Sequence, residues 1–245
     1  MTPETDLSLT SFKRYRTFFF LRTGMDRLLA LSMLFSCLLV ATRIIHTGRF
    51  TFISLIWNLF LAYVPYFITT GLARRPRWIG NLPLVTGIFF VWLLFIPNTF
   101  YIITDLYHLD NRYTTGSLNR AIITRESLQW FDLVLILSFA WNGLLLGILS
   151  IRQMEKIIAP FLAPRHELFF LYPIMWLNAL GIYIGRYLRY NSWDVISDPF
   201  QLCTDIVCML LHPIQNRYAW DMIFCFSILM TFMYLMLKKI GKALQ

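Results

Sequence analysis

The sequence predicts an all-α, polytopic integral membrane protein of about six transmembrane helices, with both termini cytoplasmic. Composition is the first observation. The 245 residues are 58% hydrophobic and only 14% charged, against roughly 25% charged in a soluble domain. The second is the recurrence of apolar stretches near the ~20 residues that a bilayer requires. The third is charge asymmetry. With an even number of spans and both ends inside, 14 of the 22 basic residues fall on the inner side. Eight of the 13 acidic residues fall outside, so the whole net charge of +9 sits inside. Cytoplasmic retention of Lys and Arg explains that pattern. The basic balance is therefore a matter of orientation and does not indicate nucleic-acid binding.

The spans are expected at about 27–46, 51–72, 80–103, 128–150, 168–188 and 218–237. Residues 1–26 read as a cytoplasmic basic tail. They lack the small-residue site of a cleavable signal, so the first apolar run should remain as an anchor. Residues 27–245 read as a single transmembrane domain with long outer connections at 104–127 and 189–217. The second connection contains an apolar run, 200–212, which is too short to span and is expected to lie at the interface or to re-enter. Cys37 and Cys225 fall within spans as small hydrophobes. Cys203 and Cys208 lack zinc-type spacing, and a disulfide between them is not favoured.

Gly143/Gly147 and Gly181/Gly185 are two GxxxG pairs, a spacing that lets membrane helices approach closely. They are expected to pack spans four and five and to draw Asp132 and Arg186 towards a common region. Trp57-Asn58 and Trp176-Leu177-Asn178 hint at a half-to-half repeat. Tyr and Trp at span ends, such as Trp78, Trp130 and Tyr218, suit an interfacial belt.

Two polar runs stand out at the ends of apolar stretches: 97–108 and 181–194. Ionisable groups at a membrane boundary are costly and often mark working sites. If the first run is α-helical beyond Pro97, then Asn98, Tyr101, Asp105 and His108 share an arc of roughly 80°. Pro97 would kink the helix and free a carbonyl. Amide, phenol, carboxylate and imidazole in one stripe can bind, move protons or form a hydrogen-bonded helix contact. Asp105 and His108 also offer two ligands to a divalent metal, with a third from Asp132, Asp194 or His212. In the second run, Arg186 and Arg189 suit phosphate or carboxylate, because each guanidinium donates two parallel hydrogen bonds. The same pair also suits structural ion pairs with Asp105, Asp132 or Asp194. Asn191, Ser192, Trp193 and Asp194 follow as a turn. Asp194 could serve as a base, a ligand or a cap.

These residues resemble a bacterial membrane family catalogued as domain of unknown function 1361. The resemblance rests on Pro-Asn-x-x-Tyr-x-x-Thr-Asp-Leu-x-His at 97–108 and on Trp130-x-Asp132. It rests also on Gly-Ile-Tyr-x-Gly-Arg-x-x-Arg-x-Asn-Ser-Trp-Asp at 181–194, where Tyr190 replaces an expected Trp. It covers about Trp57 to Tyr234 and implies membrane topology but no reaction.

The expected arrangement is a six-helix bundle in the bacterial plasma (inner) membrane with an outward-facing polar pocket. Its leading expected role is an enzyme acting on a lipid headgroup or lipid-linked phosphate at the outer leaflet. Arg186 and Arg189 would hold the phosphate, with Asn98, Tyr101, Asn191 and Trp193 also in contact with substrate. Asp105 and His108 would do acid–base work or hold a divalent metal, supported by Asp132 and Asp194. The alternatives are a small proton-coupled transporter or lipid translocase, and a membrane assembly factor or scaffold. The lipid bilayer is the one partner all three share.

Overall fold

The computed structural model describes residues 24–107, 109, 119–161, 167–190, 192 and 194–243. The helices are α1 (Met25–Thr47), α2 (Ile53–Ala73), α3 (Pro76–Ile79), α4 (Leu82–Phe95), α5 (Pro97–Tyr101), α6 (Asn119–Ile158), α7 (Glu167–Tyr183), α8 (Asp194–Ser197), α9 (Pro199–Leu211) and α10 (Arg217–Ala243). A 3-10 helix, Ile102–Tyr107, follows α5, and a π-helix, Ile184–Leu188, follows α7. No strand occurs among the described residues. The protein is an all-α polytopic membrane protein.

Five stretches are long and apolar enough to cross a membrane: Met25–Thr47, Ile53–Ala73, Leu82–Tyr107, Ser127–Ile158 and Arg217–Gly241. The expected span at 168–188 is built differently. Its α-helical part, α7, has 17 residues, about 26 Å at 1.5 Å per residue. That falls short of a ~30 Å hydrocarbon core. The five π-helical residues that continue it carry the helical run to Leu188.

The contacts divide the chain into two compact units. Among the described residues, the first comprises those of 24–92 and 98–157, and the second those of 93–97 and 158–243. In the first unit, α6 is the central element: its membrane stretch is two-thirds buried, while the other four candidate spans are about one-quarter buried. Leu135, Ile136, Phe139, Ala140 and Leu146 of α6 share a core with Leu29 and Val40 of α1, Leu55, Leu59 and Ala62 of α2, and Ile102. Their spacing of three and four follows the helical repeat. Gly48 ends α1 in the left-handed region at φ 64°, its N–H donating to Ile44 O at 2.7 Å. A residue without Cβ suits that cap.

Polar side chains also join the first unit. Thr69 and Thr70 of α2 both donate to Gln153 Oε1, at 2.7 and 3.1 Å, and Trp92 Nε1 donates to Ser150 Oγ at 2.8 Å. Asn142 Nδ2 donates to Ser36 Oγ at 2.9 Å. Buried polar groups in lipid must find such partners within the protein.

In the second unit α7 packs along α10. Leu171, Ile174, Met175, Asn178, Ala179 and Ile182 form the buried face of α7. Ala219, Ile223, Ser227, Met230 and Tyr234 form that of α10. Both stripes advance by three or four residues, the spacing of helices packed side by side. Trp176 stacks on Trp220 with ring centroids 6.2 Å apart.

Candidate functional site

The polar run of the first unit is held by the glycines of α6. A Cβ at Gly143 would overlap the carbonyl oxygen of Thr99, and one at Gly147 would overlap the Thr99 hydroxyl and lie 2.7 Å from the Phe100 ring. Gly143 thus admits the backbone of α5, and Gly147 admits its Thr99 and Phe100 side chains. In the second unit, Gly181 does the same for a proline: its Cβ would lie 2.5 Å from Pro97 Cγ.

The third span breaks where Pro97 denies the helix an N–H. The helix stops at Phe95 and restarts at Pro97. The Leu94 carbonyl, one turn before the break, accepts from Ser192 Oγ at 3.4 Å. A carbonyl near the proline is therefore used by the second polar run, which shares its unit.

Beyond Tyr101 the backbone tightens to a 3-10 helix. This corrects the expectation of one α-helical stripe. With three residues per turn, positions three apart eclipse, so Tyr101 aligns with Thr104, whose hydroxyl donates to the Tyr101 carbonyl at 2.6 Å. Asp105 is carried about 120° further round and leaves the line of Asn98 and Tyr101. All three are half-buried. Asn58 Nδ2 of α2 reaches Asp105 Oδ2 at 3.5 Å, the outer limit for a hydrogen bond. His108 lies outside the described residues.

Asp132 is 1% exposed and meets Arg43 of α1 through both oxygens. Arg43 Nε donates to Oδ1 at 2.5 Å and Nη2 to Oδ2 at 3.1 Å. The guanidinium also lies 5.7 Å from the Phe52 ring centroid. A two-pronged pair of this kind is the favourable geometry for a buried arginine and carboxylate. Within the first unit, then, Asp105 and Asp132 take different partners, Asn58 and Arg43.

The second polar run is irregular in another way. Residues Ile184–Leu188 form a π-helix carrying Arg186, and Tyr183 and Tyr187 stack at 5.1 Å. Arg189 then takes a left-handed backbone, φ 61°, ψ 27°, and is the one non-glycine residue with positive φ among those described. For a residue with a Cβ this conformation costs roughly 1–2 kcal/mol. Its N–H donates to Ile184 O. Arg186 is half-buried and Arg189 exposed.

Tyr190 follows, its hydroxyl donating to Asp205 Oδ2 of α9 at 2.8 Å. The donation to Asp205, with some desolvation, pushes the Tyr190 phenol up to about 12. Asp194 opens α8 and accepts from Ser197 Oγ at 3.1 Å. Asn191 and Trp193 lie outside the described residues. Cys203 and Cys208 are both free thiols. No three of His, Cys, Asp and Glu gather as metal ligands among the described residues.

Three participants escape sequence reasoning. Arg43 reads as an outer flanking charge, although a lone arginine near the end of an apolar run is itself a signal for a buried partner. Asn58 reads only as part of a repeat. Asn178 reads as part of the same repeat and of the Arg186–Arg189 helix face; its burial, with neither amide atom hydrogen-bonded, is what the sequence does not announce.

No curated protein and no solved structure matches the chain. One sequence-family model does, described as a protein of unknown function (DUF1361), over residues 57–237. That stretch contains both polar runs, Asp132 and all of α9, and spans well over half of the sequence. The chain belongs to this family of proteins of unknown function.

Proposed function

We propose that this membrane protein is an enzyme that acts on a lipid headgroup or lipid-linked phosphate at the outer leaflet of a bacterial plasma membrane. The observation that supports it best is the backbone at the arginine pair. A π-helical turn bearing Arg186 runs into a left-handed Arg189. π-turns and strained non-glycine residues both concentrate at functional sites. Holding a phosphate through two guanidiniums offers a reason for retaining that cost. The roles follow the chemistry of the side chains. Arg186 and Arg189 bind the phosphate. Asp105 and His108 do acid–base work or hold a divalent metal, with Asp132 and Asp194 in support. Asn98, Tyr101, Asn191 and Trp193 contact substrate.

The test is a mass-spectrometric profile of envelope lipids and lipid-linked glycans from the native strain, a deletion, and the deletion carrying Arg186→Ala or Asp105→Asn. A changed lipid or glycan structure that neither variant restores is the expected result. Full restoration by both variants sinks the proposal.

The Arg43–Asp132 pair favours one other reading, a proton-coupled carrier or lipid translocase. A buried charge pair on two membrane helices can separate and re-form as protons move. An unchanged lipid profile together with proton-dependent flux in vesicles would support it.

A further inference from the structure

The helix α9 presents three separate faces. At 100° per residue, Leu202, Asp205, Ile206 and Met209 lie on one side, which is the buried or half-buried side. Asp205 is fastened there by Tyr190. Gln201, Thr204 and Cys208 form an exposed polar edge. Between these, Leu210, Cys203, Val207, Phe200 and Leu211 fill an arc of roughly 100°, and all five are exposed. Phe200 is 86% exposed, as is Ile214 just beyond the helix.

We infer that α9 lies flat in the membrane interface, with the Phe200–Cys203–Val207–Leu210–Leu211 face in the acyl chains and the Cys208 edge in water. Length excludes a crossing: 13 residues reach about 20 Å, against a ~30 Å core. Continuity identifies the occupant. Five residues separate α9 from α10, a membrane-crossing helix whose Phe224, Ile228 and Phe232 are likewise exposed. Tyr190 ties the middle of α9, through Asp205, to the turn that finishes the α7–π run. Both attachments therefore hold α9 at the edge of the apolar layer, where an exposed apolar arc meets lipid.

The chemistry of the contact is also specified. Helix α9 has no Lys or Arg, and it carries Asp205 with Asp198 as its N-cap. Attraction to anionic headgroups cannot hold it, so apolar insertion must. Through Tyr190, the depth of α9 also sets that of the Arg189 turn. The placement of α9 itself does not depend on the proposed activity.

The native thiols test this without substitution. Cys203 and Cys208 are both exposed on the protein surface but face about 140° apart. Full-length protein would be reconstituted in phosphatidylcholine vesicles, with and without phosphatidylglycerol. A membrane-impermeant maleimide is added, and the modified position read by fragmenting the 190–217 peptide. Cys208 should react at least ten-fold faster than Cys203 in both compositions, and the difference should vanish in denaturing detergent. Equal rates in the bilayer overturn the inference, and protection of both thiols replaces it with a re-entrant helix. A nitroxide on Cys203, with Cys37, Cys208 and Cys225 replaced by Ser, completes the test. Relaxation by lipid-soluble oxygen supports acyl-chain contact; insensitivity to oxygen means that a protein surface covers the face, which also overturns the inference.

Discussion

The two polar runs end apolar stretches in opposite ways. After Pro97 the chain winds tighter, from α-helix into a 3-10 helix. After Tyr183 it winds looser, into a π-helix, and finishes on a left-handed arginine. The tight run is braced: Gly143 meets its backbone at Thr99, Gly147 meets the Thr99 and Phe100 side chains, and Asn58 reaches its carboxylate. The loose run is held by other contacts: Gly181 against Pro97, Tyr190 on Asp205 and Ser192 on Leu94. The difference teaches that the first unit supplies rigidity around its acid, whereas the second stores strain beside its cations.

Breaking the brace of the first unit should have the largest effect. Asp132→Asn leaves the Arg43 charge buried without its counter-ion, a loss of about 3–5 kcal/mol for a pair of this kind. Denaturation in detergent micelles would read it. The double replacement Arg43→Met with Asp132→Leu should recover most of that stability. If it recovers stability but not the lipid phenotype, the pair has a role beyond support.

The glycine clasp comes next. Gly143→Ala sets a methyl against the Thr99 carbonyl, which is backbone and cannot swing aside. A loss of about 1–3 kcal/mol is expected from overpacking. Gly80→Ala, whose nearest neighbour is 3.9 Å away, should cost no stability by comparison. Equal outcomes at the two positions would remove the clasp from the argument.

Relief of strain in the second unit is a gain of smaller size. Arg189→Gly should stabilise by about 1 kcal/mol, since glycine takes a positive φ without penalty. Under the proposed function it should also impair the lipid phenotype. A loss of stability would mean that the arginine side chain does more holding than the backbone costs.

The smallest effect belongs to the Tyr190–Asp205 contact. The phenol is raised in the folded state to about 12, from an ordinary value near 10. Its contribution is therefore fully present below pH ~10 and is lost as pH rises through about 12. Tyr190→Phe should reduce the difference in stability between these two pH values that the native protein shows. An unchanged profile would show that the hydrogen bond does not persist.

Much of this was legible in the sequence. Apolar runs of about 20 residues point to helices, because a segment of that length can cross lipid with its backbone groups paired within itself. The GxxxG spacing at 143 and 147 announces close approach, and Pro97 announces a break. What each glycine would meet was not legible. In the first unit, Gly143 and Gly147 receive Thr99 and Phe100. The stripe of Asn98, Tyr101, Asp105 and His108 assumed 3.6 residues per turn. The transition to 3-10 geometry at Ile102 depends on packing that no local pattern encodes, since Ile-Ile-Thr-Asp suits an α-helix equally well.

The sequence by itself determined the class of the protein, the approximate positions of five of its six expected spans and the two runs that depart from them. These are properties of length, hydropathy and spacing, which solvent and lipid read residue by residue. Only the tertiary structure decided that Asp132 belongs to Arg43, 89 residues away, that Asp105 faces Asn58, and that Arg189 takes a left-handed backbone. Pairing across such distances is set by which helix faces meet, and a strained φ survives only where the surrounding contacts over-determine it.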